Sequence, residues 1–170
     1  MKHVRDGAII NVDCGGGWGN GAFEHLDSND ANVQACIGAA GSSKRDRSGR
    51  FTFKNKRAEW WWSFREALDP DNGDDIALPQ DGQLFADLTS VRRKRSEDST
   101  IIQIESKADV IKRLGRSPDD GDAVVLAWAN DDPDLRRERR SRQRKKSPLR
   151  RSPIVQSGYE RQKAKFSRRK

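Results

Sequence analysis

Cysteine is almost missing from this sequence. Cys14 and Cys36 are the only two in 170 residues, and two cysteines supply neither a zinc-type ligand set nor a disulfide framework. A reducing compartment is the default expectation. Long apolar runs are missing too: no stretch approaches the ~20 residues of a membrane span. The opening MKHVRDG is not backed by the apolar segment of a secretory leader. The expectation is a soluble chain of the cytoplasm with no membrane partner. No glycine is followed by Lys and then Ser or Thr, so the chain carries no recognisable ATP-binding loop.

Charge is plentiful but unevenly placed. Hydrophobic residues make up 33% and charged residues 35%, which is lean for a globular protein. Leu135 to Lys170 holds 16 of the 34 Lys and Arg but only Glu138 and Glu160 of the 26 acids. The formal +8 is therefore the sum of a mildly acidic domain and a very basic tail. The domain is expected over 8–130 and the tail over 135–170. That tail cannot bury enough apolar surface to offset its ordering entropy, so disorder is expected there.

Within the domain, Gly7–Asp13 reads as a short buried strand, Ala22–Leu26 as a helix start and Val33–Ile37 as a second strand. Gly38–Arg50 is loop-like in composition. Lys56–Leu68 is the best helix, with Trp60, Trp61, Phe64, Ala67 and Leu68 on one face and Trp62 off it. Gln83–Val91 is a shorter helix whose apolar stripe is Leu84, Phe85 and Leu88. Thr100–Glu105 is a clear strand. Ser106 then caps a helix from Lys107 to Leu114, and Gly115 suits its C′ position. Asp122 leads into an apolar helix, Ala123–Ala129. Strands alternating with helices predict an α/β fold, although only two or three strands are legible.

The chemistry concentrates in INVDCGGGWGNGAFEHL, Ile10 to Leu26. Gly17, Gly19 and Ala22 fit a dinucleotide-binding fingerprint loosely, but no strand ending in an acid follows about 20 residues on. A carboxylate at the end of a buried strand suits a hard Mg2+ or Mn2+ ligand, and bare backbone after it lets a phosphodiester approach. Asp119, Asp120 and Asp122 form a second acidic cluster that could converge with Asp13 on divalent metal. The plainer alternatives are a turn-stabilising Asp13 and, for Ser117–Asp122, an N-cap with helix-dipole acids.

Val12-Asp13 followed by G-x-G-x-G, then FKNKRAEWWWSFREALDP, GDDIALPQDGQLFADLTSVR and IQIESKADVIKRLGRSPDDGDAVVLAW, resembles the C-terminal nuclease domain of the tailed-phage terminase large subunit, over about Ala8 to Trp128. The resemblance implies an RNase H-like (resolvase-like) fold with two divalent metals, Mg2+ or Mn2+, held by three acids. It implies an endonuclease that cuts concatemeric double-stranded DNA during genome packaging. The small terminase subunit and the portal would be its partners, in the host cytoplasm. Carried over residue by residue, Asp13 matches the second acid, Asp122 the third, and Asp119 a nearby auxiliary. Lys107 and Arg113 match basic positions that contact the DNA backbone in this reading, or else form a solvated helix face.

The departure is at the front. The family's first acid lies on an earlier strand, whereas only twelve residues precede Asp13, and Asp6 is the sole acid among them. The family's ATPase motor is missing as well. The expectation is a nuclease domain truncated at its N-terminus and lacking its first strand or strands. The tail offers a separate function: Arg136, Arg137, Arg139, Arg140, Lys145 and Lys146 have the charge density that binds nucleic acid by counterion release. With only Tyr159 and Phe166 as aromatics, the tail is not built for base stacking. Two function classes therefore stand: a metal-dependent packaging nuclease, and a catalytically dead, DNA-binding prophage remnant.

Overall fold

The strands and helices of the domain are described in a computed structural model over residues 9–129, apart from 73 and 75. Strand β1 (Ile10–Asp13) runs parallel to β2 (Val33–Cys36), with helix α1 (Asn20–Ser28) between them. A parallel pair needs such a crossover. The register pairs Ile10 with Val33 and Asp13 with Cys36. It continues one step further, where Cys14 N donates to Cys36 O at 2.8 Å. Both cysteines are buried.

A second sheet has the order β3-β5-β4, formed by β3 (Thr52–Phe53), β4 (Arg93–Lys94) and β5 (Ile101–Ile104). β3 is parallel to β5 and β4 antiparallel to it. Neither β3 nor β4 is legible in the sequence. Two residues are too few to show a period, and Arg93 and Lys94 are both exposed.

Helix α2 (Lys56–Ala67) starts where Asn55 accepts a hydrogen bond from Ala58 N at 2.9 Å. Its expected stripe is buried: Trp60, Trp61, Phe64 and Ala67 are all below one-tenth exposed. Leu68 lies just past the helix and is 39% exposed. Trp62, off that stripe, packs with Phe51 and Ile104 against a cluster of Phe53, Ala58 and Ile102. The helix is thus apolar on two faces because it lies between layers, the second sheet on one side and α5 on the other.

Helix α5 (Asp119–Trp128) begins four residues earlier than expected. Gly121, inside its first turn, serves helix packing. A Cβ there would stand 2.9 Å from Asp87 Cβ and 3.3 Å from the Trp61 ring, so bare backbone lets α5 settle onto α3 (Gly82–Ser90). The same contact overturns the expected stripe of α3. Phe85 is 70% exposed, whereas Asp87 is fully buried. The close face admits a short side chain whose carboxylate accepts from Gly121 N at 3.3 Å and meets Arg116 at 2.5 Å. Helix α4 (Lys107–Leu114) follows its sequence signals: Ser106 accepts from Asp109 N at 3.1 Å, and Gly115 adopts φ 75°. Among the described residues no helix is long and apolar enough to cross a membrane.

Candidate metal and nucleic-acid site

The C-terminal ends of β1, β3 and β5 and the first turns of α2, α4 and α5 open onto one groove of about 440 Å3. Asp13 and Asp122, far apart in sequence, both line it, as do Lys54, Arg57, Lys94 and Lys107. This is where strand ends of an α/β fold ordinarily gather their functional side chains.

Asp13 is exposed at the end of β1, and its Oδ1 accepts from Gly15 N at 2.9 Å. It therefore stabilises a turn, as the plainer expectation had it, and it faces the groove as well. The turn is a 3-10 segment, Gly15–Gly17, with φ 65° at Gly16 and 86° at Gly17, where glycine is required. Gly19 lies so close that a Cβ there would be 2.0 Å from Asp13 O. The glycines thus bring the start of α1 back against the strand end.

Asp122 is held from three directions. Its Oδ1 accepts from Trp61 Nε1 at 3.1 Å and from Arg57 Nη2 at 3.2 Å, and Lys107 Nζ lies 3.3 Å from Oδ2. Lys107 also donates to Asp119 at 2.9 Å, and Ser117 Oγ donates to the same oxygen at 2.7 Å. The hydrogen bond from Lys107, then that from Ser117, holds the Asp119 carboxyl below its ordinary pKa. Burial alone would lower the Lys107 ammonium. The hydrogen bond to Asp119 and the charge of Asp122 outweigh it and raise that pKa. The third acid of the cluster, Asp120, turns away and accepts from Gln83 Nε2 at 2.7 Å. All three lie in the first turn of α5, where acids complement the helix dipole.

Lys107 and Arg113, expected at the DNA backbone, are engaged within the protein. Arg113 Nη2 donates to Ser90 O at 2.5 Å and to Glu105 at 2.6 Å. The hydrogen bond from Arg113 keeps the Glu105 carboxyl below its ordinary pKa. Lys94 pairs with Asp109 at 2.8 Å, and with Ser106 it draws the Asp109 pKa down to about 2. Lys54 makes no ion pair among the described residues. Arg136, Arg137, Arg139, Arg140, Lys145 and Lys146 lie outside the described residues.

Sequence reasoning passed over Arg57, the hub of the groove. Besides Asp122 it donates to Glu105 O at 2.7 Å and stands 5.6 Å over the Trp61 ring. Its own backbone N donates to Gly38 O at 2.9 Å, tying the loop after β2 to α2. Buried Glu59 secures the same loop. It accepts from Ser42 Oγ at 2.6 Å and pairs with Lys56 at 3.1 Å and Lys44 at 3.3 Å. The signal was the N-K-R-A-E-W-W block, Asn55 to Trp61, in which charged residues are embedded beside a helix's apolar stripe.

Among the described residues no three His, Cys, Asp or Glu side chains form a metal-binding group. The fit to a metal therefore rests on two carboxylates. Asp13 and Asp122 are hard oxygen donors facing one groove, which suits a single hydrated Mg2+ or Mn2+; such an ion is commonly held by one or two carboxylates. A second ion would need a further acid.

No protein-family model matches the sequence, and comparison with curated proteins finds no match. The fold does have solved counterparts. The chain is similar to the nuclease domain of the large terminase subunit gp2 of bacterial virus Sf6, at 22% identity and a TM-score of 0.55 over 73% of this chain and 66% of that one. A mutant of that domain with manganese gives the same identity and score over 73% and 67%. A mutant with calcium gives 22% and a TM-score of 0.52 over 73% and 66%. The chain thus spans about two thirds of each neighbour's length. It has the RNase H-like α/β fold of a terminase nuclease domain, the fold expected from the sequence motifs.

Proposed function

We propose that this chain is the endonuclease part of a phage DNA-packaging terminase large subunit, cutting concatemeric double-stranded DNA with Mg2+ or Mn2+ in the host cytoplasm. One observation carries the reading. Asp13 and Asp122, from opposite ends of the domain, line one groove with four cationic side chains, on the fold of a terminase nuclease. Asp13 and Asp122 would hold the ion, which when bound supplies Lewis-acid stabilisation and an activated water. Trp61 and Arg57 orient Asp122, and Asp119 draws Lys107 to the edge of the site. Lys54 contacts a DNA phosphate. The neighbours containing manganese and calcium support a divalent metal. The small terminase subunit and the portal are the assembly partners in this reading. Residues 8–130 are the nuclease-like domain, and 135–170 adds affinity without sequence readout.

A second reading is favoured by the lack of a three-acid group among the described residues: a DNA-binding remnant that no longer cuts. Nicking of supercoiled plasmid by the full chain in Mn2+ separates the two. The nuclease reading expects nicking that Asp13→Asn and Asp122→Asn each abolish. Intact plasmid with the parent chain, or nicking that survives both substitutions, overturns it. Retention of DNA that disappears on deleting Leu135–Lys170 would then establish the remnant.

A further inference from the structure

We infer that Trp18, in the turn that follows Asp13, is a nucleobase-stacking contact, engaging a base where the DNA stack opens beside the phosphodiester that Asp13 and Asp122 address. The inference deepens the nuclease reading and rests on it for its setting. Its starting point is exposure. Trp18 is 95% exposed, whereas Trp60 and Trp61 are 7% and 8% exposed. Trp128 packs edge-on to Phe64 at 5.9 Å, and Trp62 carries Arg65 and Arg93 on its ring at 4.7 and 5.6 Å. Trp18 is thus the tryptophan that folding leaves in water.

Its placement is fixed even though its ring is bare. Gly16 and Gly17 turn the chain through positive φ, and Gly17 N donates to Cys14 O at 3.1 Å. Asp13 Oδ1 closes the turn on Gly15, and Gly19 lies flush against Asp13 O. Trp18 is therefore held between Gly17, tied to Cys14 O, and Gly19, packed against the Asp13 backbone carbonyl. The side chain lies over Gly16: a Cβ on Gly16 would meet its Cδ1 at 3.4 Å. Only backbone supports the indole, and its faces remain available.

An exposed indole beside an acid needs a partner with a π face and with charge that the site can tolerate. A nucleobase provides the face, and Lys54 in the groove is a cation for its phosphate. Both faces of a base within duplex are already covered by its neighbours. Trp18 can therefore act only at a nick, gap, end or kinked step, in the way that aromatic platforms and apolar wedges engage DNA. Stacking is indifferent to base identity because every base has a π face.

The test is binding of the full chain in EDTA to two labelled duplexes, one intact and one with a central two-nucleotide gap. Electrostatic binding by the basic tail contributes to both, so the ratio of affinities isolates the contact. The parent is expected to prefer the gapped duplex. Trp18→Ala should weaken binding to the gapped duplex about 5- to 150-fold, the value of one stacked base, and leave the intact duplex unchanged. Trp18→Phe should retain most of the preference. The fluorescence difference between parent and Trp18→Phe should be quenched by the gapped duplex only. Equal losses on both duplexes, or none, overturn the inference, as does a Trp18→Ala effect confined to self-association. The nuclease reading is tested separately. Nicking that depends on Asp13 and Asp122 alongside an unchanged gap preference in Trp18→Ala rejects Trp18 alone. A lost gap preference in a chain that never nicks supports the contact and rejects the cutting.

Discussion

Replacing Gly19 with alanine should damage the site more than any other single-methyl change in the glycine-rich turn. The residue sits at φ −84° and ψ −5°, a conformation alanine adopts freely. Backbone conformation is therefore not the obstacle; space is. The new Cβ would lie 2.0 Å from Asp13 O, 2.8 Å from Asp13 C and 3.1 Å from Val12 Cγ1. Two of these neighbours are backbone of a paired strand and cannot rotate away. The turn must lift off β1 by roughly an ångström or more to restore ordinary contact distances of ~3.5 Å. Overpacking of this kind costs about 1–3 kcal/mol. Gly21 is the internal control: it lies in α1 with nothing within 4 Å of its Cβ position. Gly21→Ala should be neutral or stabilising by up to ~1 kcal/mol through helix propensity. The two variants should differ by about 1–4 kcal/mol, or roughly 0.5–2 M in urea midpoint at an m-value near 2 kcal/mol/M. Urea unfolding followed by circular dichroism reads this directly. A Gly19→Ala midpoint equal to or above that of Gly21→Ala would refute the close approach, and with it the claim that Trp18 is fixed relative to Asp13.

Lys107→Ala removes the cation shared by Asp119 and Asp122. It should tighten Mn2+ binding about three- to tenfold in calorimetry, a modest change because the ammonium is half in solvent. Glu59→Ala breaks a buried carboxylate network and leaves Lys56 without its buried partner. It should cost about 3–5 kcal/mol in chemical denaturation and loosen the loop after β2, read as faster amide exchange at Arg57. For Asp46, burial raises the carboxyl pKa, but hydrogen bonds from Ser48 and from the Phe51 and Arg50 backbone outweigh it and set it below the usual 3.8. Asp98, Glu105, Asp109 and Asp119 are lowered as well. Lowered carboxyl pKa values stabilise the fold above the unfolded-state values and lose that contribution as pH falls through the folded ones. Unfolding midpoints should therefore be flat from pH 7 to about 5 and drop below about pH 4. Asp46→Asn should show a shallower drop from a lower plateau.

What was legible in the sequence was whatever local chemistry decides. Ser106 and Gly115 bracket α4 because a cap and a left-handed C′ residue need no distant partner. The stripe of α2 reads correctly because four large residues recur at helical spacing. The misses share one cause, which is that a distant segment overrode a local signal. Gly121 is bare because α3 comes close to it, and Asp87 displaced Phe85 from the interior for the same reason. Strands β3 and β4 exist only as partners of β5. In the site, Asp13 and Asp122 were legible as strand-end and helix-start acids. Arg57 was not, because its importance lies in reaching Asp122 and Glu105 O across 65 and 48 residues of chain.

The charges of the groove suggest how cutting and holding DNA could be divided. Asp13, Glu105, Asp109 and Asp122 line it, opposed by Lys54, Arg57, Lys94 and Lys107. Asp109 is matched by Lys94, Glu105 by Arg113 and Asp122 by Arg57 and Lys107, which leaves Asp13 and Lys54 outside the ion pairs among the described residues. A phosphodiester arriving at such a balanced surface gains little from its paired cations and is repelled by Asp13. Held by Asp13 and Asp122 as proposed, a divalent ion would reverse that balance, turning the acid that repels a phosphate into the anchor of a charge that attracts one. The ion and the DNA then each favour the other's binding, because coupling between two sites is reciprocal. Lys107 already pairs with Asp122, so an ion bound there would have to displace a resident charge. Nonspecific retention by the basic residues beyond Leu135 needs no such exchange. In the nuclease reading proposed above, holding DNA would thus be a property of net charge, whereas cutting would depend on which cation sits on Asp122.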